Sequence, residues 1–282
     1  MAIRPDFPDA ECPACAAKGA HLVARWSDWE QAAPARPGGA MRLEAARACG
    51  YADKRPDFIG CNNCGSVWLD PLPTARELAD FYQGYHATDD FLRKAEKKVA
   101  RAWKRIALLR WRAPGKRFLE VGANIGVGAE AARRHGFTAT AVEPDRAASA
   151  AGEALFPHVR HFVGMIEELE EGPAFDLVYT AEIIEHVPDP AAFMRHIVSR
   201  MTPGALVFAT TPDIGHWRQP KRFIERKSVI PPEHVVLFTV KGLRALFERT
   251  GLQRVRFRPH LKPGVRASAV KPKAVRGVST TP

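Results

Sequence analysis

From Arg117 onward the chain alternates short apolar runs with amphipathic ones. FLEVGA, FTATAVE, HVRHFVG, FDLVYTAE, GALVFATTP and LQRVRFRP read as six strands. Between them GAEAARRH, DRAASAAGEALF, AAFMRHIVSRM and VKGLRALFERT read as helices. Apolar strands alternating with helices predict an α/β fold with a mostly parallel sheet and helices on both faces. Such a sheet binds ligands at the carboxyl ends of its strands. Upstream, SVWL predicts a strand stopped by Pro71 and Pro73, and the capping box Thr74-x-x-Glu77 starts a short helix. Over 93–112, Val99, Trp103, Ile106 and Leu109 form a helical stripe opposite a Lys/Arg-rich face. This predicts a linker helix at about 91–112, packed on the main domain.

The chain has 282 residues, of which 46% are hydrophobic. No apolar run approaches the roughly 20 residues that span a bilayer, and the first residues hold no apolar signal core. A soluble, cytoplasmic protein is expected. The net charge of +11 invites a nucleic-acid reading, but eight Lys/Arg and no acids lie between Arg254 and the end. The basicity therefore belongs mainly to the C-terminal segment, and residues 263–282 are expected to form a disordered basic tail.

Five cysteines stand at 12, 15, 49, 61 and 64. Cys12-x-x-Cys15 and Cys61-x-x-Cys64 are two knuckles that can turn four thiolates toward one Zn²⁺. Four buried free thiols is the plainer alternative. The 45 residues between the knuckles exceed the compact ribbon spacing of about 15–20, so residues 24–50 are read as an insertion. The expected organisation is a zinc module over 1–88, a main domain over 89–262 and the tail. A site closed by four thiolates is structural.

The glycine loop Gly122-x-x-x-Gly126-x-Gly128 follows the first strand of the main domain. Its spacing alone fits a short-chain dehydrogenase as well. That chemistry needs Tyr-x-x-x-Lys, and none of Tyr51, Tyr82, Tyr85 and Tyr179 has Lys four positions on. The segments FLEVGANIGVG, AVEPD, FDLVYTAEIIEHVPDP, LVFATTP and EHVVLFTVKGLRALFERTGL resemble, in order, a class I S-adenosylmethionine-dependent methyltransferase across residues 118–257. The resemblance implies a Rossmann-like domain. It also implies a cofactor site made by Glu120, Gly122, Ala123, Asn124, Gly126, Glu143, Pro144, Met165, Ile166 and Ala181. Glu120 would meet the methionine amino group and Glu143 the ribose hydroxyls. Asn124 replaces the family's middle glycine and is expected in the left-handed region. Met165 stands where the resembled family commonly has an Asp, so apolar contact of Met165 and Ile166 with adenine is expected. The knuckles and the PLPT…LADFY stretch resemble methyltransferases that begin with a zinc ribbon, several of which act on sugars.

Glu182, Glu185 and His186 follow the fourth strand at i, i+3, i+4. The set resembles one linked to a divalent ion in ubiquinone-pathway O-methyltransferases; an internal hydrogen-bonded turn is the alternative. His186 is the first candidate for general base, its ordinary pKa lying near neutrality. His234 and His216 follow, and Tyr82 and Tyr85 are candidates to cover the site. The sequence reading is methyl transfer to a hydroxyl of a small molecule or saccharide. An RNA methyltransferase using the zinc module and the basic helix to bind RNA, and a silent cofactor-binding module, are the rivals.

Overall fold

The computed structural model describes residues 6–83, 92–170, 172–258 and 261–273. Tyr85, the expected boundary at 88/89 and the last nine residues lie outside that set. Two sheets organise the chain. The smaller one uses β1 (Asp6–Glu11), β2 (Lys18–Ala24), β3 (Asp57–Cys61), β4 (Val67–Asp70) and β10 (Val236–Leu237), in that spatial order. All its pairings are antiparallel. Each cysteine knuckle occupies a hairpin end, one after β1 and one after β3, and Ala20 pairs with Cys61, which brings the two ends together. The expected insertion folds as α1 (Trp26–Ala32) and α2 (Gly39–Ala48). Trp26 and Trp29 of α1 are buried and pack against each other, with Trp26 edge-on to Tyr51.

The larger sheet has the order β11-β12-β9-β8-β5-β6-β7. Its parallel part is β9 (Met201–Thr211), β8 (Phe175–Ala181), β5 (Arg117–Val121), β6 (Thr138–Glu143) and β7 (Arg160–Val163). The helices are α3 (Ala75–Gln83), α4 (Ala95–Ala107), α5 (Val127–Arg133), α6 (Arg146–Leu155), α7 (Pro190–Ser199) and α8 (Val240–Arg249). Asp145, Asp189 and Thr239 cap α6, α7 and α8 through side-chain oxygens that accept first-turn N–H groups. The expected Rossmann-like class I methyltransferase architecture, mostly parallel with helices on both faces, is the one observed.

Two expectations need correction. The segment from 263 does not begin as a disordered tail. Val265–Val270 is strand β12, antiparallel both to β9 and to β11 (Gln253–Arg258). Val265, Ala267 and Ala269 are buried there, and their small size lets the strand sit between neighbours. On α4 the buried stripe is Ala95, Val99, Ala102 and Ile106, continued by Leu109. Trp103 is 43% exposed and stacks on His135 instead. A 3.6-residue period puts both i+3 and i+4 near the contact line after Val99, and Ala102, not Trp103, is the buried one. Arg134 of the α5 C-cap binds Glu96 through both guanidinium N–H groups and ties α4 to α5.

Candidate active site

The glycine loop joins β5 to α5 at the carboxyl edge of the sheet. Gly122 has φ +69°, Asn124 +49° and Gly126 +78°. Asn124 thus occupies the left-handed region expected of it. Its N–H donates to Glu143 Oε2 at 2.7 Å, and its own Oδ1 accepts the Ile125 N–H. The loop backbone therefore faces the end of β6. A Cβ on Gly122 would lie 2.3 Å from Ile183 Cδ1, and one on Gly128 2.4 Å from Glu120 Oε1. These close approaches, not flexibility, are why the loop needs glycine at both positions.

Glu120 differs from its expected role. It is buried, and its two oxygens accept N–H groups from Gly128 and Ala129 at the start of α5. Burial raises its pKa to about 8 against the pull of those two bonds, with Glu143 adding to the rise. The carboxyl holds the loop to the helix rather than standing open to a ligand. Glu143, half-buried at the end of β6, also accepts the Asp145 N–H. Its pKa is raised by burial. Ala123 is buried and donates its N–H to Val142. Pro144 is exposed beside Glu143, and Ala181 ends β8. Met165 is 52% exposed, whereas Ile166 is buried in the core and offers no open face. Of the expected adenine contacts, only Met165 has its side chain available.

At the end of β8 a 3-10 turn, Ile184–His186, brings Glu185 and His186 against His234. One ligand atom from each of the three lies within 4.8 Å of the others. Glu182 is not of this group. It has φ +59° and accepts a hydrogen bond from Thr210 Oγ1 at 2.7 Å, which turns it toward β9. The expected set of Glu182, Glu185 and His186 is thus replaced by Glu185, His186 and His234. His216 stands apart, stacked on Trp217.

Glu185 is fully buried. Oε2 accepts from Thr211 Oγ1 at 2.8 Å, while Oε1 has no hydrogen-bond partner among the described residues. Burial first, then the charge of Glu182, drives its pKa well up. The His186 and His234 rings meet edge to face at 4.7 Å. Burial lowers the His186 pKa to about 4, and burial, then the neighbouring His186, lowers that of His234 as well. Both imidazoles are neutral at physiological pH, so His186 does not titrate near neutrality as expected. His234 Nδ1 lies 2.8 Å from the Ser228 carbonyl oxygen. A carbonyl only accepts, so Nδ1 carries the proton and Nε2 holds a lone pair. Tyr82 Oη meets His186 Nδ1 at 2.9 Å.

Sequence reasoning missed the groups that fix this cluster. Arg42 of α2 pairs with Glu233 at 2.5 Å beside His234. Arg36 donates to the carbonyls of Ile224, Arg226 and Val229. Only the paired threonines of FATTP offered a local signal.

The four knuckle cysteines also converge. Cys12 and Cys64 sulfurs are 3.6 Å apart and Cys15 and Cys61 sulfurs 3.5 Å, with all four within 4.8 Å. Tetrahedral thiolates at about 2.3 Å from Zn²⁺ have sulfurs just under 4 Å apart, so this set fits the ion. The N–H groups of Asn63 and Cys64 point at Cys61 Sγ.

Residues 91–256 match the family model described as a methyltransferase domain. The chain belongs to this family. The methyltransferase is 33% identical over 135 residues to a ubiquinone biosynthesis O-methyltransferase of Xanthomonas campestris, covering 46% of this chain and 54% of that one. It is 38% identical over 104 residues to the Paracidovorax citrulli protein of the same name, covering 34% and 44%. The chain spans about half the length of these curated relatives. An O-methyltransferase family protein from Burkholderia thailandensis shares the fold, with a TM-score of 0.50, 15% identity, and coverage of 71% of this methyltransferase and 61% of that chain.

Proposed function

We propose that the protein transfers the methyl group of S-adenosylmethionine to a hydroxyl of a small molecule or saccharide. The observation that carries this reading is the pairing of a glycine loop bent toward the strand ends with a buried, neutral imidazole cluster one strand away. The two stand at the carboxyl edges of β5 and β8, which are neighbours in the sheet. Family membership and the relatives' printed names support the same class.

The chemistry asks little of the protein. The acceptor oxygen forms a bond to the methyl carbon as the carbon–sulfur bond breaks, and S-adenosylhomocysteine leaves. His234 Nε2 takes the hydroxyl proton, and the Ser228 carbonyl keeps Nδ1 protonated so that Nε2 stays the base. In-line positioning supplies most of the rest.

Glu185 Oε1, buried without a hydrogen-bond partner among the described residues, favours one alternative. Glu185, His186 and His234 Nε2 would hold a divalent ion there, and the ion, by lowering the acceptor's pKa, would replace His234 as the means of deprotonation. The four knuckle cysteines would hold a structural Zn²⁺.

Calorimetry with S-adenosylhomocysteine tests the cofactor, and absence of binding would sink the reading. An acceptor screen tests the reaction. His234→Ala should cut turnover by about 10²-fold or more, the usual worth of a general base, with cofactor affinity unchanged. Stripping divalent ions while the cysteine site stays loaded tests that ion, and undiminished turnover removes it.

A further inference from the structure

At the same end of the sheet, the face under α4 carries a convergence of arginines. Arg105 on α4, Arg258 on β11 and Arg266 on β12 line a small open cavity whose floor is Leu109 and Phe208, both buried. Arg256 precedes Arg258 by two positions on β11 and so shares its face, and Arg112 is close enough to feel both charges. Burial, then the charges of Arg256 and Arg258, hold the Arg112 guanidinium below its ordinary pKa. Burial, then Arg105, do the same for Arg266. Among the described residues, no carboxylate pairs with Arg112, Arg256 or Arg258. Cations gathered on an apolar floor repel one another, and a bound anion with several oxygens relieves that.

The cavity lies at the same carboxyl end of β9 as the Glu185 cluster but on the opposite face of the sheet, since Thr211, not Thr210, holds Glu185. Arg266 is directly opposite Thr210 across the β12–β9 ladder, so the two side chains share a face. The Thr210 hydroxyl in turn donates to Glu182. We propose that the Arg105–Arg258–Arg266 cavity binds the phosphate or diphosphate group of a phosphorylated acceptor. The proposal rests on the methyl-transfer reading for the acceptor, but not for the anion.

Pyrophosphate is the probe, titrated by calorimetry at low ionic strength with no acceptor present. The wild type should bind it. Arg258→Ala and the double substitution R112A/R258A should weaken it at least tenfold. Their melting temperatures should hold or rise, because like charges are removed. Arg222→Ala, at a side chain 85% exposed and paired with Glu225, should change nothing. No binding by the wild type, or equal losses in R222A and R258A, overturns the site. So does tight binding of phosphatidylglycerol vesicles or single-stranded RNA that pyrophosphate cannot displace. For turnover, a phosphorylated acceptor should exceed its dephosphorylated parent at least tenfold in kcat/KM, and R258A should bring that ratio to about one. Equal use of both acceptors by the wild type overturns the acceptor assignment. Pyrophosphate binding without S-adenosylhomocysteine binding would reject methyl transfer and keep the anion site; the reverse result would reject only the anion site.

Discussion

At the scale of single residues, the glycine loop is held by contacts with almost no tolerance. Gly122→Ala would place a methyl 2.3 Å from Ile183 Cδ1 at φ +69°. Two costs then add, a clash and a left-handed alanine of about 1 kcal/mol or more. We expect S-adenosylhomocysteine affinity to fall at least tenfold. Trimming the partner, in G122A/I183A, should recover only the steric part; full recovery would show that the backbone conformation costs nothing. Glu120 yields a pH prediction. Its folded pKa is near 8 against an ordinary value of 4.5. The folded state holds this proton more tightly than the unfolded chain does. Its contribution is therefore complete below about pH 4.5 and declines as pH rises toward 8. Urea midpoints should fall across that window, and E120Q should flatten the slope. An unchanged slope would assign the pH sensitivity to other groups. The sequence showed the glycine spacing and the left-handed Asn124, because backbone requirements are local. The inward turn of Glu120 and the neutrality of His186 were hidden, because burial depends on residues far along the chain.

At the scale of elements, strands with strong alternation were legible and weak ones were not. β12 lies in a segment rich in Pro, Ser and Lys, whose composition reads as disorder; the neighbours β9 and β11 decide its state. β10 has two residues and no periodicity to read. The expected insertion could not be assigned a task from sequence, since Arg36 and Arg42 meet partners more than 190 positions away. Its task is to hold the 216–234 loop that carries His234. The Arg42–Glu233 pair is 12% exposed on each side. Removing one member leaves the other charge nearly buried, a loss of about 3 kcal/mol by analogy with other buried pairs. R42A should lower the melting temperature and turnover together. R42A/E233A should recover much of the stability and less of the activity. If both recover equally, the pair merely stabilises the loop and does not position His234.

At the scale of the whole molecule, the cysteine module and the active site are one connected structure. Leu69 of β4 donates its N–H to the Val235 carbonyl, and the Val235 N–H donates to the Glu185 carbonyl. Thr239, which caps α8, donates its hydroxyl to the Cys64 carbonyl and its N–H to Ser66 Oγ. The path from the knuckles to Glu185 and His234 is therefore backbone hydrogen bonding across a sheet edge. Among the described residues the glycine loop shows no such hydrogen-bonded link and is tied to β6 and α5 instead. Removing the proposed zinc should thus affect the two halves of the reaction unequally. With the metal chelated, or in Cys61→Ser, turnover should fall at least tenfold while S-adenosylhomocysteine affinity changes less than threefold. Exposed thiols, titrated with a chromogenic disulfide, should rise by four on chelation in the wild type. A parallel collapse of cofactor affinity would mean that the module supports the whole domain. Unchanged turnover would separate the module from the chemistry.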